Sequence, residues 1–170
     1  MTLILLNGPM GCGKTAVSRE LVQLLQPSVF LDGDWCWDLH PFTVTDSAKR
    51  LVVRNIRALL SNFAACPEIE YIVCCWVLQY EETARELLTD LAPDVRVLRI
   101  TLDCSPKTLS ERIGRDIADG KRDPDALERS LSYLPLYRDQ QTLHISTDAR
   151  TPREIAREIA GAVLHPSGKS

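Results

Sequence analysis

The amino-acid sequence predicts an α/β fold in which a parallel sheet of five strands lies between two layers of helices. Short apolar runs alternate along the chain with longer stretches of helical periodicity. At least three of these runs are continuously apolar, which is typical of parallel strands that are buried on both faces. The 170 residues, 45% of them hydrophobic, suffice for one domain with an ordinary core. We therefore expect a single three-layer α/β/α domain over residues 1–164.

Each element has a signal of its own. The predicted strands are Leu3 to Leu6, Val29 to Leu31, Tyr71 to Leu78, Val95 to Leu102 and Leu143 to Ile145. The predicted helices are Lys14 to Leu25, Asp46 to Ala64, Glu81 to Asp90, Ser105 to about Asp116, one that starts at Asp123-Pro124, and Thr151 to Leu164. Residues 165–170 have no apolar face and are expected to form a flexible tail. Because ligands of such sheets bind at the carboxyl ends of the strands, the loops there form the candidate site.

Composition and charge argue against several classes of protein. The formal net charge of −3 disfavours a nucleic-acid partner, since such domains usually carry a basic face. No run approaches the roughly 18 apolar residues of a membrane-spanning helix, and no export signal is recognisable at the first residues. The six cysteines include no C-x-x-C pair and fit free thiols in a reducing compartment. We expect a cytoplasmic protein that is a monomer or a homodimer.

The loop after the first strand carries the strongest motif. It reads Gly8-Pro9-Met10-Gly11-Cys12-Gly13-Lys14-Thr15, with Ala16 next, and matches G-x-x-x-x-G-K-[ST] at every fixed position. Glycines let backbone N–H groups converge on phosphates, and the following helix directs its positive end toward them. Lys14 is expected to reach the β- and γ-phosphates of a nucleotide, and Thr15 to supply a hydroxyl to Mg²⁺. A chance glycine-rich turn is the alternative, but the strand before and the helix after are the context that the motif requires.

Two carboxylates, Asp32 and Asp34, follow the second strand. Two residues apart on an extended chain, they would lie on the same side and close to the phosphate loop. Phosphoryl transfer needs an acid to orient the acceptor hydroxyl and oxygen ligands for the metal. We assign Asp34 to the acceptor and Asp32 to Mg²⁺, because the third strand ends in Cys74-Cys75-Trp76 without a carboxylate. The reverse assignment stays open, and so does a solvated Asp-Gly-Asp turn without a function.

Taken together, these motifs resemble the small P-loop kinases of the shikimate kinase, gluconate kinase and adenylylsulfate kinase group, over nearly the whole chain. The likeness depends on the phosphate loop, on Leu31-Asp32-Gly33-Asp34, and on Leu102-Asp103-Cys104-Ser105 followed by Leu109 and Glu111-Arg112. It implies a P-loop NTPase fold with the strand order 2-3-1-4-5 and acceptor binding by the aspartates after the second strand. It also implies a short helical lid over ATP, here at about residues 115–123.

The predicted lid supplies arginines. The segments from Glu111 to Arg115 and from Arg122 to Asp125 resemble the lid of the wider nucleoside monophosphate kinase group. The resemblance implies that Arg115 and Arg122 lie at the phosphates and Arg112 nearer the adenine. A cationic lid suits phosphoryl transfer, because charge spreads over the γ-phosphoryl oxygens and water must be excluded. The alternative is a helix whose arginines face water.

Aromatic and basic residues near Asp34 are candidates for binding the acceptor. Trp35, Trp37 and Trp76 fall at two neighbouring strand ends and can stack on a ring, although core packing is the commoner role of tryptophan. Arg54 and Arg57 lie one helical turn apart and can either hold an anionic group or form a solvated face.

The sequence thus predicts transfer of the γ-phosphate of MgATP to a hydroxyl of a small molecule, whether a metabolite, a sugar-like compound or an antibiotic. The absence of the GTPase motif N-K-x-D favours ATP. A nucleotide or nucleoside as acceptor is one alternative. An alternative of another class is a nucleotide-dependent ATPase or switch that acts through a protein partner.

Overall fold

A parallel sheet of five strands forms the middle layer, as the apolar runs predict. The strands are β1 (Thr2–Asn7), β2 (Ser28–Asp32), β3 (Tyr71–Cys75), β4 (Arg96–Asp103) and β5 (Leu143–Ser146). The α-helices are α1 (Lys14–Leu24), α2 (Asp46–Ala64), α3 (Glu81–Leu88), α4 (Pro106–Ala118), α5 (Ala126–Arg138) and α6 (Pro152–Leu164). The strand order is β2-β3-β1-β4-β5, and every pair is parallel. This computed structural model describes residues 1–165 and confirms the predicted fold class and strand order.

Alternating side chains of the strands build a separate core on each face of the sheet. In β1, Ile4 and Leu6 enter the core that α1 and α6 cover, whereas Leu3 and Leu5 enter the core that α2 and α3 cover. None of these four side chains is more than 1% exposed. Burial on both faces is the physical reason why the run from Leu3 to Leu6 is continuously apolar.

β3 is shorter than predicted and ends at Cys75 rather than at Leu78. The reason is Asn7, the last residue of β1, whose side chain is buried. Its Oδ1 accepts a hydrogen bond from the Leu78 N–H at 2.8 Å, and its Nδ2 donates to the Leu78 carbonyl at 3.0 Å. The chain after Trp76 therefore leaves the sheet but stays tied to the end of β1, beside the phosphate loop.

The helix boundaries follow their capping residues. Thr45, Ser105 and Thr151 each accept a hydrogen bond from the backbone N–H three residues further on. A side-chain cap of this kind is absent at the start of α5, which begins at Ala126 rather than at the expected Asp123-Pro124. α3 also ends earlier than predicted, at Leu88.

Among residues 1–165, no helix combines the length and the apolar character that crossing a bilayer requires. The expected flexible tail, residues 165–170, lies outside the described residues apart from His165.

Candidate active site

A cavity of about 690 Å³ opens at the carboxyl ends of β1 and β2, beside the start of α1. We call it the P-loop cavity. Its lining includes most residues that the sequence assigns to the nucleotide and the metal: Pro9, Met10, Gly11, Gly13, Lys14, Thr15, Ala16, Asp32, Asp34, Arg112, Arg115 and Arg122. Val77, Gln79, Ser130, Tyr133 and Tyr137 also line it, and no sequence motif pointed to them. Gly8 and Cys12 are buried within the same loop.

Glycine is required where the loop turns. Gly8 has a φ of 142° and Gly13 a φ of 103°, in the region that side chains other than glycine rarely adopt. A Cβ at Gly8 would also lie 2.6 Å from the Leu102 carbonyl oxygen. The Nζ of Lys14 donates to the carbonyl oxygens of Gly8 and Pro9, both at 2.9 Å. The loop thus curls around the ammonium group of Lys14, and no side chain caps the first N–H groups of α1.

Two hydrogen bonds hold the loop from the other side of the cavity. The hydroxyl of Ser130 on α5 donates to the Met10 carbonyl at 2.8 Å. Arg112 on α4 donates to the Cys12 carbonyl at 3.1 Å and to the Thr147 carbonyl at 2.9 Å. Arg112 therefore has a structural role in addition to its position at the cavity wall.

Thr15 and Asp32 form the pair that the sequence assigns to the metal. The Thr15 Oγ1 donates to Asp32 Oδ2 at 2.7 Å, and Asp32 is only 6% exposed. Asp32 is the last residue of β2 and pairs with Cys75, the last residue of β3, so its side chain can contact Thr15 at the start of α1. A hydroxyl and a carboxylate oxygen are ligands that Mg²⁺ accepts together with waters and substrate phosphates. The residues present therefore fit the metal that the fold implies.

Asp34 does not lie on an extended chain, as the sequence analysis assumed, but on a 3-10 helix that spans Gly33–Trp37. Asp32 caps this helix, and its Oδ1 accepts a hydrogen bond from the Asp34 N–H at 3.1 Å. The two carboxylates are neighbours because of this cap and not because of strand periodicity. The expected proximity holds, but the physical reason given for it was wrong.

The pKa of the Asp34 carboxyl lies above its ordinary value. The main cause is desolvation by the surrounding protein, although Asp34 keeps an exposed edge at the cavity wall, and the second cause is the charge of Asp32. Lys14, the indole N–H of Trp76 and Arg122 favour the ionised form and offset part of the rise in pKa. A raised pKa makes the carboxylate a better proton acceptor, provided that it stays ionised near neutral pH.

The predicted lid residues lie at the opposite wall of the P-loop cavity. Arg122 is partly buried, and its Nε donates to Asp116 Oδ2 at 2.8 Å. Arg115 is exposed and donates to the Glu111 carbonyl of its own helix at 3.2 Å. Both arginines line the cavity, Arg122 with an acidic partner that is also part of the wall.

A second cavity, of about 680 Å³, adjoins the first and shares Asp34 and Val77 with it. Its other lining residues are Trp35, Trp37, Asp38, Phe42 and Trp76, and we call it the aromatic cavity. Trp35 is 55% exposed and Phe42 72%, whereas Trp76 is 7% exposed and belongs to the core under α2. Thus Trp35 lies at the cavity surface, while Trp76 is chiefly a core residue with one edge at the cavity.

Gly33 links that core to the site. A Cβ at Gly33 would overlap the indole ring of Trp76. The close packing of backbone on ring fixes the start of the 3-10 helix that carries Asp34. Neither Gly33 nor Asn7 was singled out from the sequence. The only available signals were the positions of Asn7 at the end of an apolar run and of Gly33 between two aspartates.

Two predicted acceptor ligands are not brought to the site. Arg54 on α2 is exposed and lines neither cavity. Arg57 donates to Asp90 Oδ2 through Nε at 3.0 Å and Nη2 at 2.6 Å, and so binds the segment that follows α3. Cys12 is buried, and burial raises the pKa of its thiol, as expected for an unreactive cysteine.

Comparison with known proteins agrees with the fold. The family model described as AAA domain matches residues 4–130. A search of curated protein sequences gave no match. Among solved structures, shikimate kinase from Acinetobacter baumannii in complex with shikimate has a TM-score of 0.65 and 22% identity, with 98% of this chain and 95% of that chain covered.

Two further solved structures have similar scores. A gluconokinase from Sinorhizobium meliloti 1021 has a TM-score of 0.68 and 20% identity, with 98% of each chain covered. The tunicamycin resistance protein of Deinococcus radiodurans has a TM-score of 0.66 and 20% identity, with 95% of each chain covered. At this level of identity the likeness concerns the fold, and it confirms the resemblance to the small P-loop kinase group at that level.

Proposed function

The chain belongs to the AAA domain family, and from that premise we propose that it is a kinase that transfers the γ-phosphate of MgATP to a hydroxyl of a small molecule. One observation carries the proposal: Asp34 lies in the wall common to two adjoining cavities. One cavity has a phosphate-binding loop, and the other is large enough for a second ligand. A transfer reaction needs its donor and acceptor to meet in this way.

On the donor side, the loop N–H groups, the start of α1 and Lys14 bind the phosphates. The contacts of Lys14 with Gly8 and Pro9 give way to the β- and γ-phosphate oxygens when the nucleotide enters. Mg²⁺ held by Thr15 and Asp32 would neutralise phosphate charge there. Arg122 and Arg115 face the same space and supply positive charge for the oxygens of the transferred group.

On the acceptor side, Asp34 accepts a hydrogen bond from the hydroxyl and takes its proton as the bond to phosphorus forms. The oxygen of the acceptor attacks the γ-phosphorus, the bond from that phosphorus to the bridging oxygen breaks, and ADP leaves. The raised pKa of Asp34 supports the role of a proton acceptor. Positioning of the two substrates accounts for roughly 7–11 kcal/mol of the barrier when the geometry is right.

The adjoining cavity supports an organic acceptor over water. An ATPase or switch needs no second ligand site of about 680 Å³ beside its catalytic carboxylate. A nucleoside or nucleotide stays a candidate acceptor because aromatic side chains can stack on a base. The closure of a lid at residues 115–123, a cytoplasmic location and a monomeric or homodimeric state also stay predictions.

A screen of ADP release tests the proposal. MgATP is incubated with the protein and with panels of hydroxyl-bearing metabolites, sugars, nucleosides and antibiotics, and the rate is compared with that without acceptor. If the protein is a kinase, compounds of one chemical class should raise the rate of ADP release by about tenfold or more, and each active compound should gain one phosphate group. A constant rate across all panels, raised only by a protein partner, would favour the ATPase or switch instead.

A further inference from the structure

The aromatic cavity has an unusual charge pattern for a site beside a phosphate-binding loop. Its lining contains two carboxylates, Asp34 and Asp38, and neither lysine nor arginine. The two cations that lower the pKa of Asp34, Lys14 and Arg122, line the P-loop cavity instead. The basic residues on α2 do not line this cavity, and Arg57 is bound to Asp90. An anionic group that lies within the aromatic cavity would therefore meet two like charges and no cation in the cavity lining.

His40 is a titratable neighbour of Asp38 at this end of the cavity. Its Nε2 lies 3.0 Å from Asp38 Oδ1, and both side chains are largely exposed. A contact between two exposed side chains is weak and easily exchanged for another partner. Asp38 is thus available to a ligand that enters the cavity.

The aromatic rings are held in place although they are exposed. Trp35 packs edge-on against Phe30, with ring centroids 5.1 Å apart. The indole N–H of Trp37 donates to the Thr43 carbonyl at 3.3 Å, and its ring lies 6.4 Å from the rings of both Phe42 and Trp76. Exposed aromatic surface of this kind, at a cavity mouth, is typical of a ligand site rather than of a core.

We propose that the acceptor is a ring-bearing amino alcohol. This inference rests on the proposed function and names the substrate class of its acceptor site. The ring of the acceptor lies among Trp35, Trp37 and Phe42, its hydroxyl meets Asp34, and its ammonium group faces Asp38 and the aromatic surface. Aromatic faces attract cations through the ring quadrupole, and a carboxylate adds a charge-assisted hydrogen bond. The phosphorylated product keeps its ammonium group.

A set of three matched compounds tests this charge preference. Each is a cyclohexanol that bears an aminomethyl, a hydroxymethyl or a carboxylate group at the same ring position. At neutral pH the amine is protonated and the acid is ionised. All three tryptophans of the chain line the aromatic cavity, so their fluorescence reports binding without depending on transfer.

The amine is expected to bind about tenfold or more tightly than the acid, with the neutral compound between them. Asp38→Asn should reduce this ratio to a few-fold. Asp94→Asn, which removes the same charge from an exposed position outside the cavity, should leave it unchanged. Equal or tighter binding of the acid, or binding of none of the three by fluorescence and equilibrium dialysis, would overturn the inference.

A turnover assay with the same compounds separates this inference from the proposed function. If the acid is phosphorylated with a higher kcat/KM than the amine, the protein is a kinase but the charge preference is wrong. If the amine binds with the expected preference and neither it nor any screened compound is phosphorylated, the preference stands and the kinase proposal fails.

Discussion

The two cavities that meet at Asp34 are built in different ways. The P-loop cavity is shaped by backbone: glycines with positive φ, the uncapped start of α1, and carbonyl groups held by Ser130 and Arg112. The aromatic cavity is shaped by side chains of the 3-10 helix, of the loop after it and of the segment after β3, and some of its rings are exposed. A site made of main-chain N–H groups binds one chemical group, here phosphate. A site made of side chains can change its ligand preference when those side chains are substituted. Removal of a phosphate-binding group of the loop should therefore abolish transfer to every acceptor, whereas changes to the side chains of the aromatic cavity should alter which acceptor is used.

Lys14→Ala is expected to have the largest effect. It removes the ammonium group that the loop surrounds, so kcat should fall by roughly 10²–10³-fold with any acceptor. ADP release measures this loss. The Kd of an acceptor, measured by fluorescence titration, should change by less than about twofold. If this variant kept transfer within about threefold of the unmodified protein, the phosphates would have to bind elsewhere.

Asp34→Asn is expected to reduce transfer by roughly 10²–10⁴-fold while nucleotide binding persists. Because the pKa of Asp34 is raised in the folded protein, the protonated form is favoured there, and stability falls as the pH rises from the ordinary aspartate value to the raised one. The ionised carboxylate is thus unfavourable to the fold at neutral pH. Tm should be unchanged or higher in Asp34→Asn, which thermal denaturation at neutral pH checks. A marked fall in Tm would mean that Asp34 is a structural residue.

The same pKa rise gives an expected pH dependence. The acid limb of the pH–rate profile should lie above the ordinary pKa of an aspartate, because transfer requires the ionised form of Asp34. Measurement of kcat/KM for the acceptor from acid to neutral pH checks the position of this limb. An acid limb at or below the ordinary value would argue against Asp34 as the proton acceptor.

Gly33→Ala is expected to have an intermediate effect, because the new Cβ would displace the Trp76 ring. Overpacking of this kind costs about 1–3 kcal/mol of stability. The KM for the acceptor should rise more than that for ATP, because the 3-10 helix carries Asp34 and Trp35. Denaturant titration and steady-state kinetics measure the two effects.

Gly161→Ala is the matched control for Gly33→Ala. A Cβ at Gly161, in the interior of α6, meets no atom within 4 Å. The substitution should stabilise the protein by up to about 1 kcal/mol, since alanine favours the helix, and leave kinetics unchanged. Equal behaviour of the two variants would show that Gly33 has no special role.

Asp116→Asn is expected to have the smallest effect. It releases Arg122 from a partly exposed ion pair, which should change stability by less than about 1 kcal/mol. Arg122 is then free to contact phosphates, so the KM for ATP should fall by a few-fold. Asp125→Asn breaks the exposed pair with Arg129 outside the cavity and serves as the control. A higher KM for ATP in Asp116→Asn would mean that the pair positions Arg122 correctly.

The fold was largely predictable because its signals are local and repeated. Five apolar runs, helix caps such as Ser105 and Thr151, and one phosphate loop define the order of the elements. The end of β3 was not predictable, because it depends on Asn7, which lies 71 residues from Leu78 in the sequence. The Asn7 side chain takes the hydrogen bonds that a neighbouring strand would otherwise make with Leu78, and such a contact produces no hydrophobic periodicity in the sequence.

The two cavities of the site also differ in whether local sequence signals or tertiary contacts determine them. The shape of the phosphate loop could be predicted because one motif, from Gly8 to Thr15, specifies a backbone conformation. On the proposed acceptor side, the position of Asp34 beside Asp32 was predicted for an incorrect reason. Arg54 and Arg57 were chosen from helical spacing, which did not indicate whether their face of the helix meets the cavity. Packing of Trp76 on Gly33 and the partnership of Arg57 with Asp90 depend on tertiary contacts, which one sequence does not display.

The fate of phosphate from ATP labelled at the γ-position tests most directly whether Asp34 presents a hydroxyl to the nucleotide. With an active acceptor, the label should pass to that compound in the unmodified protein. In Asp34→Asn that transfer should be lost, while ATP still binds. Release of the label only as inorganic phosphate by the unmodified protein, or undiminished labelling of the acceptor by Asp34→Asn, would contradict the mechanism.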